Sequence, residues 1–548
     1  MPEPEAIATN HFGVVDIVVL VVYFAAMASI GPLFSKKNKT TENYFVGGRS
    51  YGGFLIGLSM FATSISSITF VAYPADGYRN AYLRFIVSLT LPLGVIICSY
   101  IFLPFFRRTH TTSAFEYLEG RFGPGVRGYA AAMFIFSQAI RLSMILYLVA
   151  LLTQSITGWN PYVCILAGGI VTGFYTITGG IEAVIWTDFI QSFLLWGGGF
   201  VCLWYIVANI DGGLGTIVST AWADGKFAFG DPDPKTGVIT TAPWWGLTEK
   251  SLIMMFFVGM NNWLTEYSSN QNVIQKYVST RDEKEARKSI LVCCFCSIPT
   301  WAFFMFLGTS LYVFFKLNPV PEAADMLTGA NGRKPDQILP FFVVNYLPQG
   351  FSGLVIAGVL AAAMSSLSSS INAVSAISLV DIYKRHIVKE STEHHYVTMA
   401  KVFSVVASVI MVVGAALLMF LNSAAINDTS TKLSAISTAG LFGIYALGFL
   451  TLKGDVRAVF CGIGATVGFM SWISAIEMKI ITFDGMKALG LGDGLAQFIA
   501  KPIDSYYSGA FGNIIMFFVA YFFASLFFRR TRDLKNLTVW TTEEKAQA

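Results

Sequence analysis

Residues Ser59–Pro74 read SMFATSISSITFVAYP and sit inside an apolar run long enough to cross a membrane, from Gly52 to about Tyr78. The middle of that run is Thr63, Ser64, Ser66, Ser67 and Thr69. Hydroxyls at such positions bond to neighbouring backbone and compete with the helical ladder. Pro74 removes a further donor and disfavours helical geometry at Tyr73. One reading is a discontinuous transmembrane helix. Broken backbone at membrane depth persists only where it is buried in protein or lines a polar cavity, and in secondary transporters such breaks hold ions and substrates. The other reading is a small-residue face packed on a neighbouring helix.

The rest of the chain places this stretch in a polytopic membrane protein. It has 548 residues, 54% hydrophobic and 13% charged, with a mean hydropathy of +0.60. Soluble domains carry roughly 25% charged residues. A spanning helix needs about 20 apolar residues. About thirteen runs qualify by that length rule: 12–34, 52–77, 83–106, 127–156, 160–178, 184–209, 250–274, 287–316, 350–382, 398–421, 431–452, 457–478 and 509–528. The first has Glu3 and Glu5 ahead of it, not a basic region, and no clear cleavage site, so it reads as a helix and not a signal peptide.

Basic residues cluster in alternate short loops: Lys36, Lys37, Lys39 and Arg49; Arg107, Arg108, Arg121 and Arg127; Lys276, Arg281, Lys284, Arg287 and Lys288; Lys384, Arg385 and Lys389; then Arg529, Arg530 and Arg532. With an odd number of spans they share one side, which places the N-terminus outside and the C-terminus inside. The longer outer segments are 210–249, 317–349 and 479–508. GDPDPKTG in the first reads as loop, and 335–347 as a short external or re-entrant helix. The seven cysteines lie in apolar runs and read as free, buried thiols. No Walker motif or large soluble domain is present, which argues against an ATP-driven pump. No nucleophile–base pair or metal cluster at membrane depth suggests an enzyme, and no nucleic-acid partner is expected.

Three further features could carry chemistry. In AAAMSSLSSS, 361–370, Ser365, Ser368 and Ser369 share one helix face with Ala362 a turn earlier. Their oxygens suit a hard cation, which the density of serines favours over the packing seam that their small size also allows. Asp188 lies inside an apolar run, where a charge costs about 2.5–3.5 kcal/mol unless paired or functional. It joins those serines in a cation site or is satisfied at the interface. Arg141 lies about 14 residues from either end of its run, roughly 21 Å deep. A guanidinium there needs an anion, and its fork matches a carboxylate. The anion is either Glu266, at similar depth, or the substrate.

These residues belong to segments that resemble the sodium/solute symporters: TTENYFVGGRS at 40–50, FATSISSITF at 61–70, TSAFEYLEGRF at 112–122, YTITGGIEAVIWTDFIQ at 175–191, NQNVIQKYVS at 270–279 and AAAMSSLSSSINA at 361–373. The resemblance covers nearly the whole chain. It implies an all-α membrane fold of the LeuT type, with two inverted five-helix repeats at 52–209 and 250–452, each opening with a broken helix. Residues 1–51 then hold a leading helix and first inner loop, 210–249 an outer loop, 453–528 peripheral helices and 529–548 an inner tail.

Within the family the chain is similar to the bacterial sialic acid transporters. Carried over residue by residue, that likeness implies a first sodium site from the carbonyls of Ala62, Ile65 and Ala362 with the hydroxyls of Ser365 and Ser366. It implies a second from Asp188, Ser365, Ser368 and Ser369, and a substrate pocket of Arg141 with Ser64, Ser66, Ser67, Thr69 and Ser88. Ser88 replaces that branch's glutamine and Arg84 an aromatic residue, so the part of the pocket that reads the substrate is expected to differ.

The expectation is therefore a plasma-membrane symporter, a bacterial inner-membrane protein and a monomer in the bilayer, that imports sialic acid with one or two Na⁺. Other solutes on the same scaffold are a monocarboxylate, an amino acid such as proline or a neutral sugar; a membrane sensor is the more remote alternative. Moving one negative charge inward against 100 mV costs about 2.3 kcal/mol. One Na⁺ cancels that, and a second turns the voltage into a driving force.

Overall fold

The structure is a computed structural model that describes residues 12–108, 111–233, 236–421, 432–528 and 533–541. The side chains of Ser67, Ile68 and Arg108 fall outside that description, as do Glu3, Glu5 and the basic run Arg529, Arg530 and Arg532. Helices dominate. Those that build the centre are α1 (Val14–Ser35), α2 (Gly53–Ser64), α3 (Ser67–Arg79), α4 (Pro124–Thr157), α5 (Pro161–Ala208), α6 (Leu252–Ser269), α7 (Gln271–Val278), α8 (Glu283–Leu317), α9 (Phe351–Ile377) and α10 (Glu393–Leu421). Among the described residues nine helices are long and apolar enough to cross a membrane, or ten if the bent pair α2–α3 is one span. Every expected span is helical, but 83–106 divides into Phe85–Leu89, Leu91–Ile101 and Leu103–Arg108. The expected pair 160–178 and 184–209 is one 48-residue run that turns at Gly180.

Gly180 has φ 57° and ψ −151°, a region that only glycine occupies readily. A Cβ there would lie 2.7 Å from the Tyr44 carbonyl oxygen. The turn therefore requires glycine twice over, for its dihedrals and for the close backbone.

The break in the SISS segment is real and lies earlier than Pro74. Ile65 (φ −92°, ψ 102°) and Ser66 (φ −91°, ψ 169°) are extended, and the axis bends by 60° across them. Pro74 does not end the helix: α3 continues to Arg79. Gly308 of α8 packs so tightly on this turn that a Cβ would sit 2.0 Å from the Pro74 carbonyl oxygen. A matching break separates α6 from α7 at Asn270, whose φ −87° and ψ 112° nearly repeat those of Ile65.

α9 is the axis of the bundle. Its most apolar window is 94% buried inside the protein, against at most 56% for any other span. It packs most extensively on α5, while α2 and α3 lie on α8. Its N-terminus is capped from α1: the buried Asp16 carboxylate accepts from Gly350 N at 2.8 Å and Gly353 N at 2.5 Å. An anion at a buried helix N-terminus contributes up to about 2 kcal/mol. Outer faces are apolar and open, as at Val18, Val21 and Val22 of α1 and Val405, Val409 and Val413 of α10. Contiguous apolar surface on this scale marks a lipid-facing protein, and the chain is a multi-pass membrane protein.

The outer segments hold more structure than expected. Residues 210–249 contain a helix, Gly213–Ala223, and two paired antiparallel strands, Gly230–Pro232 and Ile239–Thr241, so the first three residues of GDPDPKTG form a strand and not plain loop. The short helix near 335–347 is Ile338–Tyr346. All seven cysteines are free; Cys164, Cys296 and Cys461 are only half-buried.

Candidate functional site

The end of α2 presents carbonyls that have lost their helical donors. Ile65 N still bonds to the Phe61 carbonyl at 3.0 Å, and beyond it the ladder stops. α9 fills in from the side: Ser366 Oγ donates to the Thr63 carbonyl at 3.2 Å. Ala62, Ile65, Ala362, Ser365 and Ser366 are all buried around this junction. The residues expected at a first sodium site are thus all buried, and Ser366 of α9 reaches the backbone at the end of α2.

Asp188 lies two turns beyond the Gly180 bend, on the inward face of α5. Its carboxylate is fully buried and fully used. Oδ1 accepts from Ser365 Oγ at 2.6 Å; Oδ2 accepts from Ser59 Oγ at 2.6 Å and from Lys276 Nζ at 2.6 Å. Lys276 was expected among inner-loop charges. Instead α7 turns back beneath α2 after the Asn270 break, and Lys276 is 1% exposed. Its ammonium also donates to the Ser59 carbonyl at 2.9 Å and, in a shorter contact, to Thr63 Oγ1. The other two serines face elsewhere: Ser368 Oγ donates to the Ser365 carbonyl at 3.1 Å, and Ser369 Oγ pairs with Thr63 Oγ1 at 2.9 Å. The structure holds Ser365 directly against Asp188, while Ser368 and Ser369 reach the cluster only through Ser365 and Thr63.

Arg141 is half-buried in the middle of α4, and its guanidinium forms no ion pair or hydrogen bond with a described residue. Glu266 is engaged otherwise: it accepts from Asn270 Nδ2 at 2.8 Å beside the second break. Two turns further along α4, Leu148, Leu151, Leu152 and Ser155 line a cavity of about 910 Å³ with Val71 and Ala72 of α3.

Of the expected pocket hydroxyls, Ser66 is half-buried at the start of α3 and Thr69 is buried one turn on. Ser64 is half-buried, in reach of the Cys293 thiol, and the Ser67 side chain lies outside the described residues. Ser88 is buried and pairs with Tyr73 OH at 3.1 Å. Arg84 turns away to Asp76, at 3.1 Å.

Sequence reasoning missed Lys276, Ser59 and the aromatic stack of Tyr73, Trp301 and Trp263 beside Ser88. Ser59 stood in the opening segment, but only the fold shows that its hydroxyl points at Asp188. A signal for Lys276 did exist: it is the one charged residue in NQNVIQKYVS, a segment otherwise of amides, hydroxyls and apolar groups.

The sodium/sialic acid symporter SiaT of Proteus mirabilis (strain HI4320) is 33% identical over 458 residues, 83% of this chain and 88% of that protein. The solved substrate-bound, outward-open state of a Na⁺-coupled sialic acid symporter superposes with a TM-score of 0.80 at 28% identity, covering 95% of this chain and all of that one. Mhp1, a nucleobase-cation-symport-1 family transporter, shares the fold alone, with a TM-score of 0.52 at 14% identity over 90% of this chain and 97% of its own. The arrangement is of the LeuT type expected from the sequence. A sequence model of the sodium:solute symporter family matches residues 44–449, and the chain belongs to that family.

Proposed function

We propose that this chain imports N-acetylneuraminic acid, or a closely related anionic sugar acid, together with Na⁺ by alternating access. The observation that carries the substrate is Arg141. A guanidinium held at mid-helix in a membrane protein needs an anion, and Glu266, the internal partner expected at similar depth, accepts from Asn270. A substrate carboxylate matches the Arg141 fork in a bidentate pair. Ser64, Ser66, Ser67, Thr69 and Ser88 supply hydroxyls for the remainder of the sugar. The likeness to sialic acid symporters supports the same assignment.

One Na⁺ binds where α2 breaks, between the carbonyls of Ala62, Ile65 and Ala362 and the hydroxyls of Ser365 and Ser366. Occupancy ties α2 to α9 and favours the outward-open state; loss of the ion to the cytosol frees both and releases substrate. The ion acts through its unequal affinity for the two states. The repeats run over 52–209 and 250–452, supported by the matched breaks at Ile65 and Asn270.

The protein works as a monomer in the bacterial inner membrane, N-terminus outside and C-terminus inside. Supporting this sidedness, Arg49 and Arg107 converge on the Val278 carbonyl, and Arg127 meets Asp381 and Glu119. Basic residues from separate loops thus gather at one end of the bundle, the end retained in the cytoplasm.

The test is uptake of radiolabelled N-acetylneuraminic acid into proteoliposomes with and without a Na⁺ gradient, for wild type and Arg141→Ala. Uptake that needs Na⁺ and collapses in the variant is the expected result. Equal uptake by the variant would remove Arg141 from the pocket.

A further inference from the structure

The cation seat formed by Asp188 and its serines is already filled. The Lys276 ammonium has three N–H donors, and each has an acceptor: Asp188 Oδ2 at 2.6 Å, the Ser59 carbonyl at 2.9 Å and Thr63 Oγ1 in a shorter contact. Asp188 and Lys276 are 0% and 1% exposed, so bulk solvent reaches neither group. The charges cancel within the cluster. Of the three serines that the family resemblance implies for a second sodium, only Ser365 touches the carboxylate, and Ser369 is committed to Thr63. The donor set therefore does not fit an added Na⁺. Two monovalent cations about 4 Å apart would share one carboxylate, and their repulsion at the effective dielectric of a protein interior weakens the second by on the order of a thousand-fold.

We propose that Lys276 is this symporter's second cation: a tethered ammonium that occupies the Asp188 seat permanently, so that transport couples one Na⁺ to one substrate anion and moves no net charge. The ammonium takes over the mechanical role of a second ion. It holds α7 and α2 to α5, the way a diffusible cation would, but it neither binds from outside nor leaves to the cytosol. Its contribution to holding the site together is accordingly independent of Na⁺ concentration. The inference rests on the sodium-symporter reading above and adds the stoichiometry to it.

Equilibrium binding of radioactive Na⁺ to the purified full chain tests this without any substrate. Wild type is expected to bind one Na⁺ per chain with a Hill coefficient of about 1. In Lys276→Met, which keeps the length and removes the charge, a second Na⁺ site is expected, with a Hill coefficient rising towards 2. Lys276→Arg keeps the charge and is expected to stay at one. In proteoliposomes an imposed inside-negative potential should leave wild-type uptake unchanged and accelerate uptake by Lys276→Met.

Two Na⁺ per wild-type chain would overturn the tethered-cation proposal and leave sodium symport standing. So would a folded Lys276→Met protein that still binds one. A wild type that binds no Na⁺ would overturn the symport reading and this inference with it. If Lys276→Met fails to fold, the wild-type site count and the voltage response decide alone.

Discussion

Neutralising either member of the Asp188–Lys276 pair should cost far more than neutralising both. Asp188→Asn leaves the ammonium among neutral oxygens. Lys276→Met leaves the carboxylate with only the Ser59 and Ser365 hydroxyls. Neither group is exposed to water. Removing one partner of a buried pair costs about 3–5 kcal/mol, whereas replacing both by neutral groups of similar volume is close to neutral. Unfolding entropy scales with chain length, so 1 kcal/mol corresponds to roughly 1 °C for a chain of this size.

Each single variant should therefore lower the thermal midpoint by about 3–5 °C, and Asp188→Asn/Lys276→Met should return to within about 1–2 °C of wild type. The assay is thermal unfolding of purified protein in detergent with Na⁺ replaced by choline. Restoring Na⁺ at about a hundred times its dissociation constant should then raise Lys276→Met by about 2.7 kcal/mol more than its effect on Asp188→Asn. Single-variant shifts that simply add in the double variant would refute the reasoning, because they would mean that the two charges do not depend on each other.

Two other outcomes follow from the fold. Gly180→Ala forces a Cβ into a backbone region reserved for glycine and towards the Tyr44 carbonyl, 2.7 Å away; strain of about 1–3 kcal/mol before any clash should appear as a lower midpoint and weaker surface expression, with Ala at the neighbouring Gly197, where a Cβ meets nothing within 4 Å, as the tolerated control. Outside the membrane, burial pushes the Lys226 ammonium down to about 7, with Asp224 opposing the shift. Between that value and the unfolded pKa of about 10.4 the unfolded chain holds a proton that the folded one does not, so stability should rise with pH across that window; Lys226→Met should flatten the rise.

How much of this was legible before the fold was known differs from residue to residue. A break was one of two readings that five hydroxyls inside an apolar span allowed; its position was hidden, since Pro74 is an obvious breaker that α8 accommodates through Gly308. Helical spacing suggested a shared face for Ser365, Ser368 and Ser369. It could not say that Ser365 meets Asp188 while Ser369 meets Thr63, because those partners lie on other helices. Lys276 sits a few residues before Arg281, and along the chain the two look alike. Only the turn at Asn270, which folds α7 under α2, separates a buried ammonium from a solvated guanidinium. The strand pair Gly230–Pro232 and Ile239–Thr241 was hidden because Gly, Asp and Pro mark a turn more strongly than three-residue strands mark themselves.

The cap that Asp16 places on α9 has a consequence for how the chain is made. Asp16 emerges from the ribosome 334 residues before Gly350, its first partner on that helix. When α1 is inserted, the helix it will cap has not yet been synthesised, and the carboxylate must wait at the membrane boundary in contact with water or headgroups. Its desolvation is thus deferred to the moment at which α9 threads into the centre of the bundle. That late step joins the first span to the most buried one, so a truncated chain that stops short of Gly350 leaves an unsealed anion at its leading helix.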